Sequence, residues 1–155
     1  MRQSIGPSRW LLLACLGVST VVAAQSTSPI GDLPPPGTMS AQMPEGMQLY
    51  IGLAVSDATQ QVVTAIGSTD TEARLRAKKD CNAKGGNCGE LATFPVRNHC
   101  MAVAADRGAK PNVRAIFVSS GEAGKAKPGQ LAKKAMSDCA ASGAKQCELQ
   151  NDYCF

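Results

Sequence analysis

Thr69-Asp70-Thr71-Glu72-Ala73-Arg74-Leu75-Arg76-Ala77-Lys78-Lys79-Asp80-Cys81, with Cys88 seven positions on, decides the fold of this chain. Thr69 and Asp70 are good helix caps, and Thr69 with Glu72 three residues on fits a capping box. Ala73, Ala77 and Cys81 recur every four residues on one helical face, while Arg74, Lys78 and Lys79 turn elsewhere. Gly85 and Gly86 stop the helix. The pattern returns at Leu131 to Ala141, where Leu131, Ala135, Met136, Cys139 and Ala140 form a stripe that Gly143 ends. Ala77-Lys78-Lys79-Asp80-Cys81 aligns with Ala135-Met136-Ser137-Asp138-Cys139: each helix ends in Asp-Cys, and a second cysteine follows soon after.

The flanking segments repeat too. Tyr50 to Val55 and Val62 to Ile66 are short apolar runs around a polar turn, Asp57 to Gln61, and Cys88 to Phe94 has strand character. In the second half, His99 to Ala105 and Val113 to Val118 flank a turn at Asp106 to Asn112, and Cys147 to Tyr153 closes the chain as a strand. The chain therefore predicts a duplicated strand-strand-helix-strand unit. Two copies are too few for a solenoid, so the units must cover each other's apolar faces. The expected class is α+β over residues 48–155, with a mostly antiparallel sheet and two helices on one face.

The cysteines fit this plan. The first 24 residues read as an export signal: Arg2 and Arg9 lead, Trp10 to Val22 is apolar, and Val22, Ala23 and Ala24 put small residues before a cut at Gln25. The apolar run is short for a membrane anchor, so no stable membrane insertion is expected after cleavage. Lipid attachment at Cys15 is the competing reading, but only Trp10 to Ala14 would precede it as an apolar region. Without Cys15 six cysteines are left, Cys81, Cys88, Cys100, Cys139, Cys147 and Cys154, an even set suited to an oxidising compartment, periplasmic or secreted. Zinc would favour closer pairs than the nearest one here, which has six intervening residues, so no metal or cofactor is expected. By the symmetry of the halves the bridges should be Cys81–Cys88, Cys139–Cys147 and Cys100–Cys154, although six cysteines permit other pairings.

Removing the signal, with two arginines and no acids, leaves 131 residues carrying 14 basic and 12 acidic side chains. That balance is no nucleic-acid footprint, and Lys78, Lys79, Lys133 and Lys134 read as wet helix faces. Residues 25–47 hold five prolines and no apolar period, which predicts a disordered lead-in. The mature chain has no tryptophan and only five aromatics, so its small core needs covalent support.

The run Phe94 to Ala104, with Asn98, Cys100, Ala102 and Ala104, resembles an Asn-x-Cys-x-Ala-x-Ala stretch in exported bacterial proteins grouped as the domain of unknown function numbered 4189. The resemblance covers roughly residues 49–155 and includes the helix-terminal cysteines Cys81 and Cys139 with Cys88 and Cys147. It implies two hairpin-plus-helix units and an envelope location, and it brings no catalytic residues. Some such proteins resemble envelope binders, including immunity partners of secreted toxins. This chain departs from the family in its first hairpin, where Tyr50 and Gly52 stand and tryptophan is absent.

No motif for chemistry is complete. His99 and Cys100 suggest a base and a nucleophile, but neighbours in a strand point to opposite faces, and a disulfide sulfur is no nucleophile. Glu72, Glu90, Glu122 and Glu148 offer carboxylates for glycan hydrolysis, yet no spacing singles out a pair. Gly121 to Gly129, with Lys125 and Lys127, lacks the Gly-Lys-Ser/Thr ending of a phosphate loop and reads as a flexible connection, with Pro128 and Gly129 leading into the helix. Thiol exchange would favour a close Cys-x-x-Cys pair. The expectation is a non-enzymatic binding protein whose partner is another protein, recognised through loops at Asp106 to Asn112 and Ser119 to Pro128. A small envelope hydrolase acting on peptidoglycan or another glycan, and a structural or stress-related envelope component, are the alternatives.

Overall fold

The structure is a computed structural model that describes residues 35–155 apart from Gly85 and Pro128. The signal segment 1–24, Cys15 within it and residues 25–34 of the lead-in lie outside the described residues. A short helix, α1 (Thr38–Gln42), precedes two units of the same plan. The first holds β1 (Tyr50–Ser56), β2 (Gln61–Gly67), α2 (Asp70–Ala83) and β3 (Cys88–Pro95). The second holds β4 (His99–Asp106), β5 (Ile116–Glu122), α3 (Gln130–Ala141) and β6 (Cys147–Cys154).

Each unit forms its own three-stranded antiparallel sheet with the first strand in the middle, in the orders β2-β1-β3 and β5-β4-β6. The duplication extends to a bulge. The β1–β3 register shifts between Leu53 and Ala54, and the β4–β6 register shifts between Val103 and Ala104. The end of each central strand is tied in the same way, by Val96 N–H to Leu49 O (2.8 Å) and Phe155 N–H to His99 O (2.9 Å).

The α+β class, the duplicated unit, the antiparallel pairing and three disulfides are all present, but the expected sheet is divided in two and the helices lie on opposite outer faces. The reason lies in β1 and β4, which are apolar on both faces. Ile51, Leu53 and Val55 turn one way and meet Met101, Val103, Phe94, Tyr153 and Phe155 in a core between the sheets. Ala54 turns the other way onto Ala77 and Cys81 of α2, and Ala102 and Ala104 onto Ala135 and Cys139 of α3. A single sheet with both helices on one side would leave the first set in water, at about 1.5–3 kcal/mol per large side chain. Stacking the sheets buries both sets.

Local signals set the helices. Thr69 caps α2 by accepting from the Glu72 N–H (3.2 Å), and the Glu72 carboxylate reaches back to Ser68, whose N–H and hydroxyl each donate at 2.7 Å. Ala73, Ala77 and Cys81 are buried. In α3 Ala135 and Cys139 are buried and Leu131 and Met136 pack beside them, whereas Ala140 is exposed. The disulfides join Cys81 to Cys88, Cys139 to Cys147 and Cys100 to Cys154, the pairing that the symmetry of the halves predicts.

The lead-in departs from expectation. Over residues 35–47 it is seated on the domain, at the end where the central strands begin. Gly37 N–H donates to Cys154 O (3.0 Å), Ser40 Oγ to Val96 O (3.4 Å), and Tyr153 Oη to Pro35 O (3.2 Å). Arg97 donates to the carbonyls of Met43 and Pro44, while Met39 and Met43 pack against the inter-sheet core. Met39 and Met43, four residues apart in and just after α1, supply the apolar contact, and one main-chain bond with several side-chain-to-backbone bonds replaces regular pairing.

Candidate functional site

The two units differ at the opposite end, where their hairpins turn. The β1–β2 connection has four residues, 57–60, and the β4–β5 connection has nine, 107–115. The longer loop reaches across to the shorter. Asn112 N–H donates to Asp57 O (2.8 Å), Gln60 Nε2 to Val113 O (2.9 Å), and Arg114 Nε to the Asp57 carboxylate (2.6 Å). Asn112 adopts a left-handed backbone (φ 67°), a conformation asparagine tolerates, and this turns the loop back.

Inside the long loop, Asp106 organises a cleft. One of its carboxylate oxygens accepts from Gly108 N–H (3.0 Å) and from Gln146 N–H (3.1 Å), and Arg107 N–H donates to Gln146 O (3.0 Å). The loop is thereby fixed to the turn between α3 and β6, whose far end the Cys139–Cys147 bridge holds. Between them opens a cleft of about 340 Å³, lined among others by Lys110, Val113, Arg114 and Lys145. In the first unit the turn after α2 packs onto the end of β1: a Cβ added to Gly86 would fall 2.5 Å from the Ser56 hydroxyl.

The residues considered for chemistry lie elsewhere and apart. His99 stacks on Phe94 (centroids 6.1 Å, planes 9° apart), while Cys100, its neighbour, is bonded to Cys154. All four glutamates are in ion pairs: Glu72 with Arg76 (2.6 Å), Glu90 with Arg74 (3.6 Å), Glu148 with Arg107 (2.8 Å), and Glu122 with Lys125. Hydrogen bonds from Ser68, with the charge of Arg76, hold the Glu72 carboxyl below its usual range. Lys125 does the same for Glu122, with a smaller contribution from His99. Burial pushes the Tyr153 phenol up.

The glycine-rich connection is a hydrogen-bonded turn. Lys125 and Ala126 N–H both donate to Glu122 O, and Gln130 exchanges bonds with the Lys127 backbone. Gly129 takes a left-handed backbone (φ 72°) just before α3, and Pro128 lies outside the described residues.

The expected loop at Asp106 to Asn112 is part of the cleft, whereas Ser119 to Glu122 belongs to β5 and is no loop. The strand expected at Val113 begins only at Ile116, because Arg114 is held by Asp57 and Val113 N–H bonds back to Lys110 O. Asp57, Arg114, Lys145 and Gln146 carry no pattern that marks them. Their only signal is the unequal length of two otherwise matching hairpins. Lys78, Lys79, Lys133 and Lys134 are exposed on the helices, as wet faces require. Among the described residues no group of three or more His, Cys, Asp or Glu side chains is placed to hold a metal, and no helix is long and apolar enough to cross a membrane.

No curated protein and no solved structure matches this chain. One family model does, described as Domain of unknown function (DUF4189), and it spans residues 50–154, from the first residue of β1 to the last of β6. The matched segment takes in both units, both helix-terminal cysteines and the cleft, and on that extent the chain belongs to the DUF4189 family.

Proposed function

We propose that this chain is an exported, non-enzymatic binding protein that engages another protein through the face formed by the 107–115 loop and the 142–146 turn. The observation that carries the reading is the asymmetry of the hairpins. One unit has a longer loop, and that loop is tied at Asp57 and Asp106, so it is held in shape before any partner arrives. A surface fixed in advance loses less ordering entropy on binding. Val113, half exposed at the rim, offers an apolar anchor. Residues 35–47 and Phe155 lie at the other pole, beside Pro95 and Cys154, away from this face. An export-type leader and six paired cysteines support a location outside the cytoplasm. An inhibitor or immunity partner of a secreted toxin is the sharper form of the proposal.

Glycan hydrolysis draws less support. A general acid needs a carboxyl raised towards neutrality, whereas Glu72 and Glu122 are held in the opposite direction and Glu90 and Glu148 are ion-paired.

The test is capture from an envelope extract with the purified protein, Val113→Ser and, as a control on a remote exposed residue, Leu75→Ser. One protein retained at equal stoichiometry by the parent and the Leu75 variant, and lost with the Val113 variant, is the expected result. No stoichiometric partner, or equal loss from both variants, would sink the reading.

A further inference from the structure

We infer that the cleft between the long loop and the 142–146 turn takes a carboxylate-bearing segment of a polypeptide partner; the inference rests on the binding reading above and names the chemistry of the partner. The charges are the first observation. The arginines near the cleft are occupied: Arg114 by Asp57 (2.6 Å) and Arg107 by Glu148 (2.8 Å). Lys110 and Lys145 line the same concavity from its two walls, and among the described residues neither forms an ion pair. The other lysines without ion pairs, such as Lys78, Lys79 and Lys133, are not part of this cleft.

The second observation is how the one acid in the lining is used. Asp106 could neutralise a lysine, but its bonded oxygen already accepts from two backbone N–H groups, Gly108 and Gln146, which tie the two walls together at the base of the cleft. The acid thus serves as a tie, and two ammonium groups flank an open space. An entering carboxylate would find charge-assisted donors on both sides without displacing an internal pair.

The third observation limits what fits. α3 ends at Ala141, and its cap residue Ser142 lines the cleft together with Gly143. The partial negative charge there, with Asp106, keeps the local field only modestly positive. Val113, Ala109 and Ala144 add apolar wall. A polyphosphate or nucleic acid needs more cation than this. An acidic segment with an apolar residue between its carboxylates matches two lysines separated by aliphatic surface.

The experiment is an amide NMR titration of the disulfide-bonded protein with the end-blocked peptide Asp-Glu-Val-Glu-Asp, alongside its uncharged counterpart Asn-Gln-Val-Gln-Asn and inorganic phosphate. Saturable shifts centred on Gly108, Lys110, Val113 and Lys145 are expected with the acidic peptide alone. They should weaken with added salt, and by about tenfold or more in the Lys110→Glu/Lys145→Glu variant, since both contacts become repulsive. Equal shifts with the uncharged peptide or phosphate would overturn the inference. So would shifts spread over Lys78, Lys79 and Lys133, or no shifts at all. Both lysines are exposed, so an unchanged spectrum of the free variant checks that it is folded. Capture of the same partner by parent and charge-reversed protein, with loss only in Val113→Ser, would overturn the acidic assignment while leaving the binding reading intact.

Discussion

Gly52 of β1 lies directly against the backbone of Ala73 in α2: a Cβ built on Gly52 would overlap the Ala73 carbonyl and sit 2.8 Å from the Arg74 nitrogen. Gly67, on the neighbouring strand, approaches the same turn, its added Cβ falling 2.5 Å from the Ala73 nitrogen. Two glycines and an alanine let the helix rest almost on the sheet. In the second unit Leu131 of α3 stands over the sheet at Gly121, and an added Cβ there would meet only side chains, Leu131 at 3.5 Å and Ala126 at 3.7 Å.

Gly52→Ala should therefore destabilise the protein by about 3 kcal/mol, because backbone atoms cannot step aside as a side-chain end can. Gly121→Ala, making an ordinary van der Waals contact, should stay within about 0.5 kcal/mol of the parent. Urea unfolding of both variants checks the contrast. Equal effects would mean that the two helices sit at equal heights.

The disulfides should differ in weight. Cys100 and Cys154 are 54 residues apart, Cys139 and Cys147 only 8. Closing the longer loop removes more freedom from the unfolded chain, about 4 kcal/mol against about 2.5 on the chain-entropy model. Replacing Cys100 and Cys154 together by alanine should lower the urea midpoint more than replacing Cys139 and Cys147. The reverse order would place the dominant effect in the native packing of the buried Cys139.

What could be read from the chain follows from where its signals repeat. Asp80-Cys81 and Asp138-Cys139 occur at the ends of similar stripes; a capping box and four-residue periodicity mark α2, and the apolar stripe alone marks α3. The apolar runs of β1 and β4 were also visible, but not which sheet would cover Ile51 and Met101, since that depends on contacts between units. The cleft was legible only as a loop at Asp106 to Asn112. Its tie, Asp106, and its clamp, Asp57 with Arg114, join residues 40 and 57 positions apart, and no local pattern announces such pairs. The packed stretch 35–47 was hidden for a related reason: Met39 and Met43 bury themselves through a seat made by the end of the chain.

Glu72 gives a pH signature. Hydrogen bonds from Ser68 and the charge of Arg76 hold its carboxyl below the ordinary value of 4.5, so the fold favours the charged form. The stabilisation is present above that value and is lost as pH falls through the lowered native one. Glu72→Gln should lower stability at neutral pH, and its gap from the parent should shrink in acid as the carboxyl is protonated. The group is exposed, so the effect is modest and should shrink with salt. Urea midpoints at neutral and acid pH measure it, and an undiminished gap in acid would contradict the assignment.

Tyr153 ties the lead-in to the core. Its ring is buried against Phe155 (centroids 4.9 Å, edge to face), and its hydroxyl donates to Pro35 O. Tyr153→Phe keeps the ring and removes the bond to Pro35 O, a loss of about 1 kcal/mol for that bond. Its place matters more than its size. Amide exchange should accelerate at Gly37 and Thr38, which follow Pro35, and stay unchanged at Gly108, because the lead-in and the cleft occupy opposite poles joined by the rigid strands β1 and β4. Acceleration at both poles would show that residues 35–47 brace the whole sandwich. No acceleration at either would show that Met39, Met43 and the Arg97 bonds hold the segment without the phenol.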